Sequence, residues 1–348
     1  MPLLPPVELD GLWEAERPYL NTASFGLPPR NAFASLQRAL EDWRRGRTSW
    51  EPWAEQANAA RAAFARIVGC RPEDVATGAT VSELVGLVAA SLPDDSRVVV
   101  PDVEFTSNLF PWLVHEHRGV RVETVPLERL AESIDATTTL VAFSSVQSSS
   151  GEVVDVEAVA EAARAHDAFV LVDATQACGW AHVSAASVDF LVCHGYKWLL
   201  APRGTAFLAV RPDWLGMIKP LHANWWSAPD PYGDFYRPPL RLADDARRLD
   251  TSPAWFSWVG AAPALELLEH IGIEGIGHHN VDLANRFRAG MDLEPSNSAI
   301  VTVDVPGAAE KLARARIEAA VRADRLRVSF HLYNTAADVD AALDALRG

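Results

Sequence analysis

Lysine is scarce in this chain. Lys and Arg together number 31 in 348 residues, and only Lys197, Lys219 and Lys311 are lysine, which leaves 28 arginines. An Ala- and Arg-rich base composition accounts for the bias, so scarcity alone says nothing about function. It does leave few candidates for chemistry that needs a primary amine. Cysteine is equally sparse. Cys70, Cys178 and Cys193 form no CxxC or Cys/His zinc spacing, and an odd, scattered set fits reduced thiols in a cytoplasm. Positive charge is short overall. A net charge of −15 and a pI near 5.1 argue against nucleic acid as a partner, because phosphate backbones select basic surfaces. No apolar run reaches the roughly 18 residues of a membrane span. The opening MPLLPPVELDGLW lacks a basic start followed by a long apolar core, so no signal peptide and no membrane partner is expected. There is no GxGxxG after a strand, no GxxxxGK[ST] and no GxSxG. His115 and His117 flank Glu116, but i and i+2 on a helix point apart, and His278-His279 is no better placed, so no metal site is expected.

What is present reads as a soluble α/β enzyme. With 49% apolar and 22% charged residues the chain can bury one large core with a smaller one attached. Amphipathic helices are expected over 30–46, 53–68 and 81–91, near 108–117, and over 156–166. Strands are expected over 97–100, 120–125, 138–144, 168–173, 188–193 and 205–210. Several of these strands are continuous apolar runs, as expected when helices cover both faces of a mainly parallel sheet. The stretch 222–245 is rich in Pro and aromatics without a clean period and reads as a long functional loop. Beyond it, helix 255–271, strand 300–303, helix 308–322, strand 326–330 and helix 337–346 suggest a small α+β domain at the C-terminus. The division expected is 1–20 as a segment packing on the small domain, 21–253 as the large domain and 254–348 as the small one.

Two residues stand where such sheets place chemistry. Asp173 closes the apolar run in FVLVDATQA, and Lys197 follows another in LVCHGYKWLLAPRG, 24 residues further on. Open α/β sheets bind ligands at strand carboxyl ends. Either residue alone reads more readily as a loop or surface residue. Together, with Gln176 beside them, they suggest a pyridoxal 5′-phosphate (PLP) site, Lys197 forming the Schiff base and Asp173 keeping the pyridine nitrogen protonated. TGAT (77–80) before the 81–91 helix offers a helix N-terminus for a phosphate, though by itself it is also an ordinary Thr cap.

The ordered set YLNTASFG (19–26), TGATVSELVGLVA (77–89), PDVEFTSNLFPW (101–112), SSVQSSSGEVVD (144–155), VLVDATQA (170–177), CHGYKWLLAPRG (193–204) and RVSFHLYNT (327–335) resembles the class V aminotransferases. These are fold-type I PLP enzymes that include cysteine desulfurases, kynureninase and isopenicillin N epimerase. The resemblance implies that Lys197 holds the cofactor and later shuttles the Cα proton. It implies that Asp173 partners the ring nitrogen and that Gln176, with Gln147 as a neighbour, donates to the phenolate oxygen. Thr80 with the amides of Ala79 and Val81 would hold the phosphate. His194 and Tyr196 stand where the family has phosphate-binding Ser and His, and Phe105 where a ring stacks on the cofactor. Arg327 matches the arginine that grips the substrate carboxylate in a two-pronged bond, with Asn21 nearby. Cysteine desulfurases carry a nucleophilic Cys shortly before that arginine; residues 308–326 here contain none.

The stretch 247–268 together with EFTSNLFPW resembles hercynylcysteine sulfoxide C–S lyases of ergothioneine synthesis. That resemblance implies β-elimination by a homodimer whose site lies at the subunit interface. It further implies that Trp225, Trp226 and Trp255, with Tyr232, Phe235 and Tyr236 as further candidates, bind the substrate's trimethylammonium group. Packing in a core or an interface is the competing expectation for most of these rings. Epimerisation and transamination are the alternatives, ahead of a cysteine desulfurase.

Overall fold

The computed structural model describes Leu9 and residues 11–348. The part of the segment 1–20 that falls on residues 1–8 and 10 lies outside the described residues. Helices α1 (Arg30–Arg44) and α2 (Glu51–Val68) precede a short strand β1 (Val75–Gly78) and helix α3 (Val81–Ser91). Then follow β2 (Arg97–Pro101), α4 (Thr106–Leu113), β3 (Arg121–Val125), β4 (Leu140–Ser144), α5 (Val156–Arg164), β5 (Phe169–Asp173), β6 (Phe190–His194) and β7 (Ala206–Val210). The seven strands form one sheet in the order β1-β7-β6-β5-β4-β2-β3. Only β7 runs against its neighbours β1 and β6; the other pairings are parallel.

Alternation along these strands builds two cores. Val99, Val141, Phe143, Val170, Val172, Leu191 and Phe207 point to the face covered by α2, α5 and α6 (Trp255–Ile271). Val98, Val100, Leu140, Ala142, Leu171, Val192 and Leu208 point to the face covered by α3 and α4. Successive side chains leave a strand on opposite faces, so a sheet buried on both sides needs unbroken apolar runs. The chain thus has the expected doubly covered, mainly parallel sheet.

A second sheet closes the chain. Helix α7 (Ile273–Gly290), β8 (Ile300–Val303), α8 (Ala308–Arg314), β9 (Ala320–Arg322), β10 (Arg325–Ser329) and α9 (Ala336–Arg347) surround a three-stranded antiparallel sheet in the order β8-β10-β9. Leu20 joins its core, and the N-terminal segment is tied to it by Leu20 N–H donating to the Glu318 carbonyl (2.8 Å) and Ser329 N–H to the Leu20 carbonyl (2.9 Å).

Some elements differ from expectation. The helix expected over 308–322 ends at Arg314, and the chain reverses into the hairpin β9–β10 through Ala323 and Asp324, both at positive φ. Ala-Asp is a poor sequence signal for such a turn, which Asn-Gly or Asp-Gly usually marks. Strand β1 and helix α7 were not expected; four residues carry little periodicity, and α7 holds Gly275, Gly277 and Gly290, which weaken helix propensity. α4 starts at Thr106 rather than near 108 and stops at Leu113, two residues after an internal Pro111. Helix α6 packs against α1 and α2 and shares the core of the large sheet, so a boundary at 253/254 cuts through a packed core.

Candidate active site

The carboxyl ends of β1, β2, β4, β5 and β6 lie along one edge of the large sheet. β1 and β6 each run against β7, so they run the same way as each other. Asp173 closes β5, and Thr80, Glu104, Ser148 and Lys197 follow the other ends; most of them line a cavity of about 280 Å³ together with Phe105, Thr175, Gln176, His194, Tyr196 and Arg203. Glu104 sits just behind Phe105.

Asp173 is buried, and its Oδ1 accepts the Thr175 N–H at 2.9 Å. Burial raises its carboxyl above the usual range, and the hydrogen bonds from Thr175 and the charge of Lys197 oppose that rise. Lys197 is also buried. Its amine is pushed down to about 8, first by desolvation and then by Arg327 and Arg322, while Asp173 pulls it up. Near neutral pH it therefore keeps roughly a tenth of its amine unprotonated, far more than an exposed lysine does, and that is the nucleophilic form. Its Nζ lies 5.5 Å from the centre of the Phe105 ring and 5.9 Å from that of Tyr196. The turn carrying Lys197 is clamped from the N-terminal segment. Gly26 N–H donates to the Tyr196 carbonyl at 2.9 Å, and a Cβ at Gly26 would overlap the Lys197 carbonyl. Only glycine allows that approach.

At one end of the cavity stands the N-terminus of α3. Thr80 caps it, accepting the Glu83 N–H at 3.2 Å, and the Glu83 carboxylate accepts the amides of Ala79 (2.9 Å) and Thr80 (3.3 Å). This is a capping box. It gives the Ala79 amide an acceptor within the helix cap, contrary to the expectation that this amide is held for a phosphate. The Val81 amide faces His194 Nε2 at 3.3 Å, and His194 Nδ1 faces the Thr205 carbonyl at 3.3 Å. Burial lowers the imidazole to about 4, so His194 is neutral, with its proton on Nδ1 and Nε2 accepting.

Arg327 is not itself in the cavity lining; it stands behind Ser148, at the other end. It is buried, and desolvation lowers its guanidinium to about 10. Nη1 donates to the Ser148 carbonyl (2.6 Å) and hydroxyl (3.1 Å), and Nη2 donates to Ser24 Oγ (2.7 Å). Its Nε has no acceptor among the described residues. A buried cation held only by neutral oxygens leaves charge uncompensated, which favours an incoming anion.

Several expected residues take other places. Gln176 lines the cavity, but its Nε2 donates to the Ala23 carbonyl (3.0 Å) and to Ser148 Oγ (3.1 Å), and its Oε1 accepts from Trp198 (2.8 Å). Both amide hydrogens are thus engaged within the protein. Gln147 lies behind the cavity, fully buried, against Glu104 and the Ser144 carbonyl. Asn21 bridges Ser329 through its backbone and does not line the cavity. Trp225, Trp226 and Trp255 are also absent from its lining. They join Trp50, Tyr232 and Phe235 in a separate aromatic cluster, in which Trp226 is fully buried.

Three contributors escaped sequence reading. Glu104 is buried and accepts Ser144 N–H (2.7 Å), Ser144 Oγ–H (2.5 Å) and Phe105 N–H (2.9 Å); it ties the end of β2 to that of β4 and aims the Phe105 backbone. Its position directly after the β2 run was the available signal. Ser24 and Ser148 hold Arg327, and no local pattern marks a hydroxyl whose partner is 303 or 179 residues away.

A family model for aminotransferase class-V matches residues 44–310. The chain belongs to that family. It is 30% identical over 321 residues to the uncharacterized aminotransferase YcbU of Bacillus subtilis (strain 168), covering 86% of this chain and 85% of the relative. It is 28% identical to isopenicillin N epimerase of Amycolatopsis lactamdurans, with 83% of each chain covered. The fold is similar to a complex of the cystine C-S lyase C-DES with cysteine persulfide, at a TM-score of 0.86 and 20% identity over 95% of this chain and 97% of that one. The cofactor of this class V enzyme is PLP. The residues present fit it: a buried amine with its pKa near 8, a buried carboxylate one strand away, a helix N-terminus, and an aromatic ring above Nζ.

Proposed function

We propose that the chain is a PLP-dependent C–S lyase. It eliminates the β-sulfur of a cysteine S-conjugate sulfoxide, hercynylcysteine sulfoxide, with pyruvate and ammonia as co-products. The sulfenate released needs an external thiol to become ergothioneine. Lys197 would hold the cofactor through Nζ, Asp173 its ring nitrogen, and the hydroxyls of Thr80 and Tyr196 its phosphate end, since His194 and the Val81 amide already satisfy each other. The bound cofactor supplies an electron sink for the charge left at Cα. Arg327 grips the substrate carboxylate and turns the Cα–H toward Lys197. Lys197 takes that proton at Nζ, for which a base with its pKa near 8 is suited at neutral pH. Phe105 covers one side of Nζ, its ring centre 5.5 Å away.

The observation that supports elimination over persulfide chemistry is the place of the thiols. None lines the cavity. Cys193 is fully buried, with its Sγ against the Ala174 and His194 carbonyls, and burial raises its thiol well above the ordinary range. A sulfinyl leaving group needs no protein nucleophile. Epimerisation and transamination begin with the same proton removal, and product analysis separates them.

A homodimer fits the surface beside the site. Phe105, Phe110, Val114 and Leu221 are exposed, and the last three line a groove of about 660 Å³ that shares Ser82 and Ser107 with the cavity. An apolar surface of this kind commonly marks an interface. The aromatic cluster around Trp225 and Trp255 would then serve the trimethylammonium group from the second subunit.

Incubating the PLP-loaded enzyme with hercynylcysteine sulfoxide and a thiol should give ergothioneine and pyruvate in equal amounts. Lys197→Ala should abolish both. Pyruvate release at the wild-type rate by that variant would falsify the mechanism, and a keto acid accompanied by aminated cofactor would establish transamination instead.

A further inference from the structure

The phosphate end of the cavity, as built by Thr80, Val81 and His194, contains no permanent cation. His194 is neutral, with its imidazole near 4. Glu83 already occupies the Ala79 and Thr80 amides and brings a negative charge to the helix N-terminus. Lys197 is committed to the cofactor aldehyde, and Arg327 is held at the other end by Ser24 and Ser148. A phosphate dianion placed here would meet hydroxyls, and amides already engaged by Glu83 and His194, beside a carboxylate.

One cation is available. Arg203 lines the same cavity. Its guanidinium carbon lies 5.2 Å from the centre of the Tyr196 ring, and that ring stands edge-on to His194 at 4.7 Å. His194 in turn meets the Val81 amide at 3.3 Å. The run from guanidinium to tyrosine to imidazole to amide leads directly to the start of α3. The backbone of Arg203 is fixed, its carbonyl accepting from Ser257 Oγ at 2.8 Å, while its side chain makes no ion pair or hydrogen bond among the described residues. Its charge is felt in the site: burial lowers the His194 imidazole and raises the Tyr196 hydroxyl, and Arg203 adds to the first shift and opposes the second.

The geometry points to Arg203 as a phosphate-binding residue of the cofactor site, carried on the Tyr196 ring and supplying the charge that the α3 cradle lacks. Tyr196 is then a platform that aims the guanidinium through a cation–π contact. Guanidinium matches phosphate oxygens in a two-pronged bond. The assignment rests on PLP as cofactor and adds a residue to its site.

The test compares two aldehydes on cofactor-stripped, full-length protein: PLP, and pyridoxal, which lacks the phosphate. Binding is read from the visible band that appears when either aldehyde is bound. In Arg203→Gln the Kd for PLP should rise about tenfold to a hundredfold, the loss expected of a charge-assisted hydrogen bond, with the Kd for pyridoxal unchanged. Arg203→Lys should recover part of the PLP affinity. Added salt should weaken PLP binding more steeply in the wild type than in Arg203→Gln. Equal losses for the two aldehydes would reduce Arg203 to a structural role and overturn the assignment. So would an unchanged PLP affinity coupled to a raised KM for substrates with an acidic tail, which would place the guanidinium on substrate. A wild-type protein that shows no band with either aldehyde would overturn the cofactor itself, a result distinct from the other two.

Discussion

The two ends of the active-site cavity handle negative charge in opposite ways. At the Arg327 end the cation is buried, fixed by three hydrogen bonds to neutral oxygens, and already stripped of water. At the α3 end the donors are amides, and the nearest free cation, Arg203, is exposed on a tyrosine ring. Desolvation of Arg327 is borne during folding, so the carboxylate grip proposed for it would cost little reorganisation and be screened little by salt. The α3 end keeps its charge in water and is completed only when an anion arrives. The difference suits the partners: a substrate that must be aligned on each turnover, and a cofactor that binds once.

Four experiments bear on that contrast. The largest effect is expected where the α3 end is anchored. Asp250 pairs with Arg61 at 2.5 Å and accepts the Thr77 amide at 2.7 Å, both side chains being buried, so it ties β1 and the turn leading to Thr80 to α2. Asp250→Asn should cost about 3–5 kcal/mol in urea unfolding, as loss of one partner of a buried pair does. Unchanged stability would show that the α3 end does not need this anchor.

Arg327→Gln comes next. It should lower kcat/KM about a hundredfold or more through lost charge-assisted bonds, with PLP affinity intact. An equal fall in PLP affinity would break the separation of the two ends. Ser148→Ala, which removes one hydroxyl shared by Arg327 and Gln176, should cost about 1 kcal/mol, or some fivefold, in KM. An effect on kcat alone would place Ser148 on the reacting atoms instead.

A separate effect is on pH. Lys197 has its pKa lowered from 10.5 to about 8 in the folded protein, so cofactor uptake should speed up as pH rises through about 8. The cost of burying the ammonium is present in full below that pH. It fades as pH rises from about 8 toward 10.5, because there the unfolded chain binds more protons. Lys197→Met should therefore stabilise the cofactor-free protein more at pH 7 than at pH 10, by thermal unfolding. No difference between the two pH values would place the amine in a wetter site, and the reverse order would mean that pairing with Asp173 outweighs its desolvation.

Much of the site was legible because its residues follow apolar runs. Asp173 and Lys197 end such runs, and the sheet brings their neighbouring strands β5 and β6 together. Thr80 was legible as a cap. The tryptophans were not. Trp226 and Trp255 read as ligands in sequence, yet the chain packs them together outside the cavity that holds Lys197, because an aromatic run carries no period that tells core from cleft. Gln176 shows the same limit: the residue is at the site, but Ala23 and Ser148 claim its hydrogens.

By itself the sequence determined the doubly covered sheet, the amine and carboxylate at its carboxyl edge, and the family, since apolar periodicity and local motifs act over a few residues. Only the tertiary structure decided which groups share charge. Ser24 and Ser148 reach Arg327, Glu83 turns back onto Ala79, and Arg203 rises over Tyr196. Burial and long-range packing choose those partners, and they set whether a guanidinium is spent on its own protein or left for a ligand.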